Sequence, residues 1–170
     1  PQNILVGVDG ADIADAAKEP VFGARSLGWR SGVVGIVRLT SDGAVDTGFG
    51  DGGVVAFPPP AETRASLGAI GVGKDGVVWI AAIWRDDKGS ALAWARVDAK
   101  GTRLAWTKGH GKNVARIDGD WLVFPRSENR DLTVRAVRVE GTQATAFGFA
   151  PARFGAENQA LEWRLWQVSE

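Results

Sequence analysis

The side chains best suited to chemistry lie in one glycine-rich run. Residues 108–112 read KGHGK and bring together Lys108, the single histidine His110, and Lys112. Two ammonium groups and an imidazole on a flexible turn could hold a phosphate or a carboxylate, although a solvated loop is the interpretation that such a run favours. Because the chain has one histidine and no cysteine, a zinc or copper site would need several carboxylates, and a serine–histidine–aspartate triad would depend on His110 alone.

Two groups of aspartates could bind calcium, the one cofactor that the sequence leaves open. Asp9, Asp12 and Asp15 would lie close together on a helix, but negative charge near a helix N-terminus is stabilising without a metal. Asp46 and Asp51 flank a glycine-rich turn, and their spacing matches no complete calcium loop. A turn that links two strands is favoured there, so we predict neither a metal nor another cofactor.

Three arginines recur at the ends of apolar segments, each followed by a turn: Arg38, Arg96 and Arg138. A functional cation is usually unique, whereas a residue that repeats along the chain belongs to the framework. We therefore expect each guanidinium to bridge a carboxylate such as Asp46 or to bind backbone carbonyl groups.

Aromatic side chains are the remaining candidates for ligand contact. Trp29, Trp84 and Trp106 lie at predicted strand ends beside glycine or charged residues, where an indole could stack on a sugar ring or on a partner's side chain. Ordinary packing at the rim of a core is the favoured alternative. Four further tryptophans lie within apolar alternation and are predicted to be core residues: Trp79, Trp94, Trp121 and Trp163.

Composition excludes several classes of partner. Lysine plus arginine equal aspartate plus glutamate at 20 each, so no net field favours nucleic acid or an anionic membrane surface. No apolar run approaches the about 18 residues of a membrane-spanning helix. The absence of cysteine rules out a disulfide framework and a thiolate nucleophile.

The spacing of apolar runs predicts an all-β fold. Runs of four to seven apolar residues are separated by glycine, aspartate and asparagine, and the chain contains 23 glycines. The clearest pattern is IVRLTSDGAVDTGFGDGGVV, from Ile36 to Val55. There a β-forming segment meets the turn dipeptide Asp42-Gly43, and Val45 starts a second extended segment.

This stretch resembles the delta-sixty repeat, a β-propeller repeat of bacterial envelope and secreted proteins, whose pattern is roughly A-R-L-x-x-D-G-x-x-D-x-x-F-G-x-x-G. The resemblance implies a propeller fold and an extracellular or cell-envelope location. It favours a non-catalytic binding or interaction module over the alternative, a subunit or processed fragment of an enzyme whose active site is completed by a partner chain. The matching residues are Arg38, Leu39, Asp42, Gly43, Asp46, Phe49, Gly50 and Gly53.

Two recurring landmarks predict about three four-stranded meander units with a period of about 40 to 45 residues. One is the arginine that ends an apolar segment. The other is an aspartate–glycine pair before a buried strand, at residues 75–76 and 118–119. The opening NILVG aligns with the strand after the first pair, Ile4 against Val78. The units then span residues 1–66, 67–113 and 114–170.

This register makes three further predictions. The strands of residues 77–84 and 121–124 should be apolar on both faces and occupy equivalent places in successive units. His110 should take the place that Asp51 has in the preceding unit. The first unit contains extra residues, and the segment from Asp9 to Arg25 should project as a loop or short helix that tolerates shortening.

Three such units do not close a ring. We therefore expect a homo-oligomer, most simply a twofold dimer, or a complex with the remainder of a cleaved propeller. Since the chain begins within a unit, the first unit needs a strand from residues 160–168 or from another polypeptide. The open faces should carry large apolar side chains: Ile4, Val6, Leu161, Trp163 and Leu165.

Overall fold

A computed structural model describes residues 4–10, 32–107, 116–126, 132–154 and 158–169, with side chains described at residues 5–7, 32–107, 116–126, 132–150 and 164–169. These ranges form strands and turns without a helix, as the apolar spacing predicted, and none of their elements is an apolar helix long enough to cross a membrane. The strands are β1 (Ile4–Gly10), β2 (Val33–Leu39), β3 (Val54–Phe57), β4 (Arg64–Val72), β5 (Val78–Asp86), β6 (Gly89–Val97), β7 (Arg116–Asp118), β8 (Trp121–Val123), β9 (Thr133–Glu140), β10 (Gln143–Phe154) and β11 (Asn158–Ser169).

The strands make three open antiparallel sheets. The first sheet has the order β1-β2-β3, the central sheet β4-β5-β6-β8-β7, and the third sheet β11-β10-β9. The sheets therefore contain three, five and three strands, where the sequence predicted four in each unit. Residues 160–168, which the sequence predicted to form a strand, lie in β11.

The central sheet is buried on both faces. On β5, Ile80 and Trp84 point into one apolar core with residues of the first sheet, whereas Trp79 and Ile83 point into a second core with residues of the third sheet. This alternation follows from the period of two along a strand. The expectation that β5 is apolar on both faces is confirmed, and the three sheets stack in chain order.

The edge strands on one side of the stack lie close together. Strand β4, the edge of the central sheet, packs against β9, the edge of the third sheet, and also against β1 and β2. The β4–β9 contact is close because Gly68 and Gly71 present no side chain to the valines of β9.

The registers reveal an internal repeat between the first and central sheets. Ile4 pairs with Leu39 as Val78 pairs with Val97, so β1 and β2 are equivalent to β5 and β6. The predicted alignment of Ile4 with Val78 is confirmed. The pairings of β2 with β3 and of β6 with β8 make Val54 equivalent to Trp121.

The same comparison overturns the aspartate–glycine landmark. Asp118 pairs with Trp121 as Asp51 pairs with Val54, and the glycines that follow, Gly52 and Gly119, have φ values of 60° and 59°. The pair at residues 118–119 therefore corresponds to residues 51–52, whereas residues 75–76 join β4 to β5. Strands β5 and β8 flank β6 within one sheet, so the prediction that they lie in successive units is wrong. The prediction failed because the turn before β5 and the turn before β8 both place a glycine with positive φ after an aspartate, so the dipeptide does not distinguish them.

A bulge relates the central and third sheets. The pairing slips at Gly68 on β4 and at Arg135 on β9, so β4, β5 and β6 correspond to β9, β10 and β11. Arg138 therefore lies within an edge strand, unlike Arg38 and Arg96, and its use as a third landmark was wrong. Equivalent residues in this fold are about 60 to 70 positions apart, a longer period than predicted.

Two predictions from the repeat concern residues that lie wholly or partly outside the described ranges. His110 lies outside the described ranges, and Asp118 occupies the position equivalent to Asp51 that was predicted for His110. Of the segment from Asp9 to Arg25, Asp9 lies in β1, and residues 11–25 lie outside the described ranges. The three sheets run from residue 4 to 57, 64 to 123 and 133 to 169, compared with the predicted units of residues 1–66, 67–113 and 114–170.

Candidate functional site

Two of the predicted contact residues are core residues. Trp84 is 2% exposed and packs edge-to-face on Trp121, and Trp106 is 7% exposed and packs on Trp79. Each indole has its apolar surface covered by the protein, so these two rings pack the core and leave no face for a sugar or a partner. The other four predicted contacts, Trp29, Lys108, His110 and Lys112, lie outside the described ranges.

Trp106 instead packs against the guanidinium of Arg96. The guanidinium carbon of Arg96 lies 4.2 Å from the Trp106 ring centre and 5.2 Å from that of Trp79, and its Nη2 donates to the Ala105 carbonyl at 3.2 Å. The faces of both rings attract the cation, and the hydrogen bond to the Ala105 carbonyl fixes its orientation. Arg96 is therefore a framework cation, as predicted.

Arg38 makes the equivalent stack in the first sheet. Its guanidinium carbon lies 4.5 Å from the Phe49 ring centre, and its Nε donates to Asp46 at 2.8 Å. A terminal nitrogen also donates to the Ala99 carbonyl in the central sheet. The expectation of a bridging arginine is confirmed here, and Arg38 joins two sheets. Arg138 is exposed and pairs with Glu140.

Replacing Arg96 by alanine is expected to lower the free energy of unfolding by about 2 kcal/mol. The reason is that the rings of Trp79 and Trp106 and the Ala105 carbonyl lose a buried cation. Lysine should recover less than half of this loss, because an ammonium lacks the planar face. Urea unfolding of both variants would measure the loss. The control is Arg138→Ala, an exposed arginine expected to change stability by less than about 0.5 kcal/mol; equal losses at the two positions would contradict the stack.

The carboxylates of the turn aspartates accept hydrogen bonds from donors of the protein itself. The two carboxylate oxygens of Asp46 accept from Arg38 and from the Gly48 amide at 3.1 Å, and the described residues contain no group of three potential metal ligands. The Thr102 amide, followed by that of Lys100, holds the pKa of the Asp98 carboxyl below its usual value. The Thr40 hydroxyl does the same for the pKa of Asp42 in the equivalent turn. Donors to a carboxylate favour its charged form, so these groups shape turns.

Among the described side chains, the most exposed large apolar one lies on the outer face of the third sheet. Phe147 on β10 pairs with Leu165 on β11, so both side chains point to the same face, and Phe149 follows on that face two residues later. Leu165 is 68% exposed, and both phenylalanines are half-buried. We call these three residues the open face. The sequence predicted Leu165 as exposed, but the two phenylalanines were missed, although their alternation with small residues along β10 is the signal.

Comparison with known proteins supplies no relative. The chain matches no family model, no curated protein and no solved structure. The three sheets are therefore the best comparison for one another, because their registers identify equivalent residues.

The open face corresponds to a buried face of the central sheet. By register, Phe147 is equivalent to Ala81 and Leu165 to Trp94, both of which are 0% exposed beneath the third sheet. At the other end of the stack, the outer face of the first sheet carries a line of valines across its three strands: Val6, Val37 and Val54. Val6 and Val37 are half-buried and Val54 is buried; the side chains of Ile4, Leu161 and Trp163 are not among those described.

The outer edges of β1 and β11 also differ from the equivalent edges in the central sheet, as far as the described ranges extend. In the described ranges no strand pairs with β1 on the edge away from β2, where the equivalent β5 has β4. None pairs with β11 on the edge away from β10, where the equivalent β6 has β8. Strand β11 itself belongs to the third sheet, so residues 160–168 do not complete the first sheet.

Proposed function

We propose that this chain is a non-catalytic interaction module, a propeller-like array of three sheets whose open face is covered by a second copy of the chain or by the remainder of a longer propeller. Its match to the delta-sixty pattern favours a bacterial secreted or envelope protein. Its activity is then binding, through the faces at the two ends of the stack.

The propeller arrangement is supported by how the sheets repeat. They stack face to face in chain order, and each pair of neighbours shares one apolar core. Edge strands of equivalent position, β4 and β9, pack against one another on one side of the stack. Blades of a propeller approach each other most closely at their inner strands, so these edges would line the central axis.

The observation that carries the binding role is the contrast between equivalent residues. Trp94 is fully covered by the next sheet, whereas Leu165 at the same register position is 68% exposed beside two phenylalanines. Contiguous exposed apolar side chains on a soluble domain mark an interaction surface. A sheet that stacks on this face as the third sheet stacks on the central one would bury it.

Changing Leu165 to lysine should weaken self-association at least about tenfold, because a charge must be desolvated within the apolar contact. Sedimentation velocity across low micromolar concentrations would measure this, with the unmodified chain expected as a dimer. The matched control is Ile117→Lys, at a leucine-sized residue of β7 that is 42% exposed and lies away from the open face. It should leave the dimer unchanged.

A well-folded monomer at low micromolar concentration that binds no apolar dye would contradict the proposal. If the unmodified chain is a monomer that does bind the dye through Leu165, its partner is another polypeptide. Native mass spectrometry would then identify a complex with the remainder of a propeller.

A further inference from the structure

The edge of β1 away from β2 differs, within the described ranges, from the same edge of its equivalent strands. Strand β1 is equivalent to β5 and β10, and each of those has a neighbour on the edge in question, β4 and β9 respectively. In the described ranges β1 has none. A strand edge with unpaired N–H and C=O groups is a template for another strand.

The contact between the central and third sheets shows which side chains a strand at this edge must lack. In the contact between the central and third sheets, Val134 and Val137 of β9 face β4 at two glycines. A Cβ atom at Gly68 would lie 2.6 Å from Val134, and one at Gly71 would lie 2.7 Å from Val137. Only a strand that lacks side chains at those two positions can lie so close.

Strand β4 presents the equivalent side chains to the first sheet. By the position of the bulge, Leu67 and Ile70 correspond to Val134 and Val137, and both point to the first sheet's side of β4. On that side β4 contacts β1 and β2, and a Cβ atom added at Gly7 of β1 would meet both Leu67 and Ile70. In the described ranges no further strand lies beside β1, where β4 lies beside β5 in the contact with β9. Leu67 and Ile70 remain half-buried.

We infer that the β1 edge binds an extended strand of another polypeptide, antiparallel to β1, with glycine at the two positions that face Leu67 and Ile70. Its backbone would complete the ladder of the first sheet, and its small residues would admit the two side chains, as Gly68 and Gly71 of β4 admit the valines of β9. This names the chemistry of one partner of the proposed interaction module and rests on that proposed function.

The probe for this inference is a synthetic peptide with the sequence of residues 63–73, TRASLGAIGVG, which contains the strand that fills this place in the central sheet. Labelled peptide should bind the full chain saturably in fluorescence anisotropy. The alternate amides of residues 4–10 that point away from β2 should then exchange at least about tenfold more slowly with deuterium. A peptide with valine in place of Gly68 and Gly71, TRASLVAIVVG, should bind at least about tenfold more weakly because its side chains meet Leu67 and Ile70.

Four results would overturn the inference. Three are no saturable binding, equal binding of the two peptides, and binding without protection of the β1 amides that point away from β2. The fourth is protection of those outward amides in the free chain, because it would show that the chain covers its own edge. Repeating the titration with the Leu165→Lys variant separates the two proposals. Peptide binding by a chain that never self-associates supports the strand site alone, and self-association without peptide binding supports the open face alone.

Discussion

Alanine at Trp121 is expected to lower the free energy of unfolding by about 3–5 kcal/mol, one of the largest effects of any single substitution in this fold. The indole is 2% exposed and lies between the first and central sheets. Its ring centre is 5.5 Å from that of Phe57 and 5.6 Å from that of Trp84, both edge-to-face. Its N–H donates to the Pro58 carbonyl at 3.3 Å. Removing it leaves a cavity between sheets that cannot collapse without moving the Pro58 corner.

Urea unfolding followed by circular dichroism would measure this loss, since tryptophan fluorescence changes with the substitution itself. Phenylalanine at position 121 is the graded control. It keeps an edge-to-face contact with Phe57 and loses the bond to Pro58, so about half of the alanine effect is expected. An alanine variant that loses less than about 1 kcal/mol would show that the first sheet does not pack on the central sheet through Trp121.

The local features of the fold could be predicted from the sequence because their causes are local. Asp42-Gly43 needs only a positive φ at the glycine to make its turn, and Gly43 has a φ of 87°. The uninterrupted apolar run of β5 and the alternating apolar residues of β11 are likewise local signals, and both predicted strands. The alignment of Ile4 with Val78 was also correct, since both strands are paired in the same register with a strand that ends before an equivalent turn.

The errors concern features that depend on distant parts of the chain. Gly76 and Gly119 both have positive φ, 82° and 59°, so the aspartate–glycine dipeptide alone does not show that one turn joins β4 to β5 and the other joins β7 to β8. Trp106 was assigned to a rim, yet the segment after β6 returns over Arg96 and buries the indole. The open face required knowing that Phe147 is opposite Leu165, which is a pairing between strands.

A side chain at Gly101 is expected to separate the first sheet from the central one. Gly101 has a φ of 85°, and a Cβ atom there would lie 2.4 Å from the backbone nitrogen of Gly50 in the first sheet. That nitrogen donates to the Lys100 carbonyl at 2.9 Å, in the turn whose Ala99 carbonyl also binds Arg38. Because backbone meets backbone, no side chain can rotate away to relieve the contact. Gly101→Ala should therefore cost about 2–5 kcal/mol, the left-handed strain and the overpacking together.

The equivalent turn of the first sheet provides the matched control. The Thr40 amide donates to Ala44 as the Asp98 amide donates to Thr102, which makes Gly43 equivalent to Gly101. Gly43 has nearly the same φ, but nothing lies within 4 Å of its added Cβ atom. Gly43→Ala should cost only the conformational strain, about 1–2 kcal/mol. The difference between the two variants in urea unfolding measures the contact between the sheets, and equal losses would show that the turn at Gly101 does not rest on Gly50.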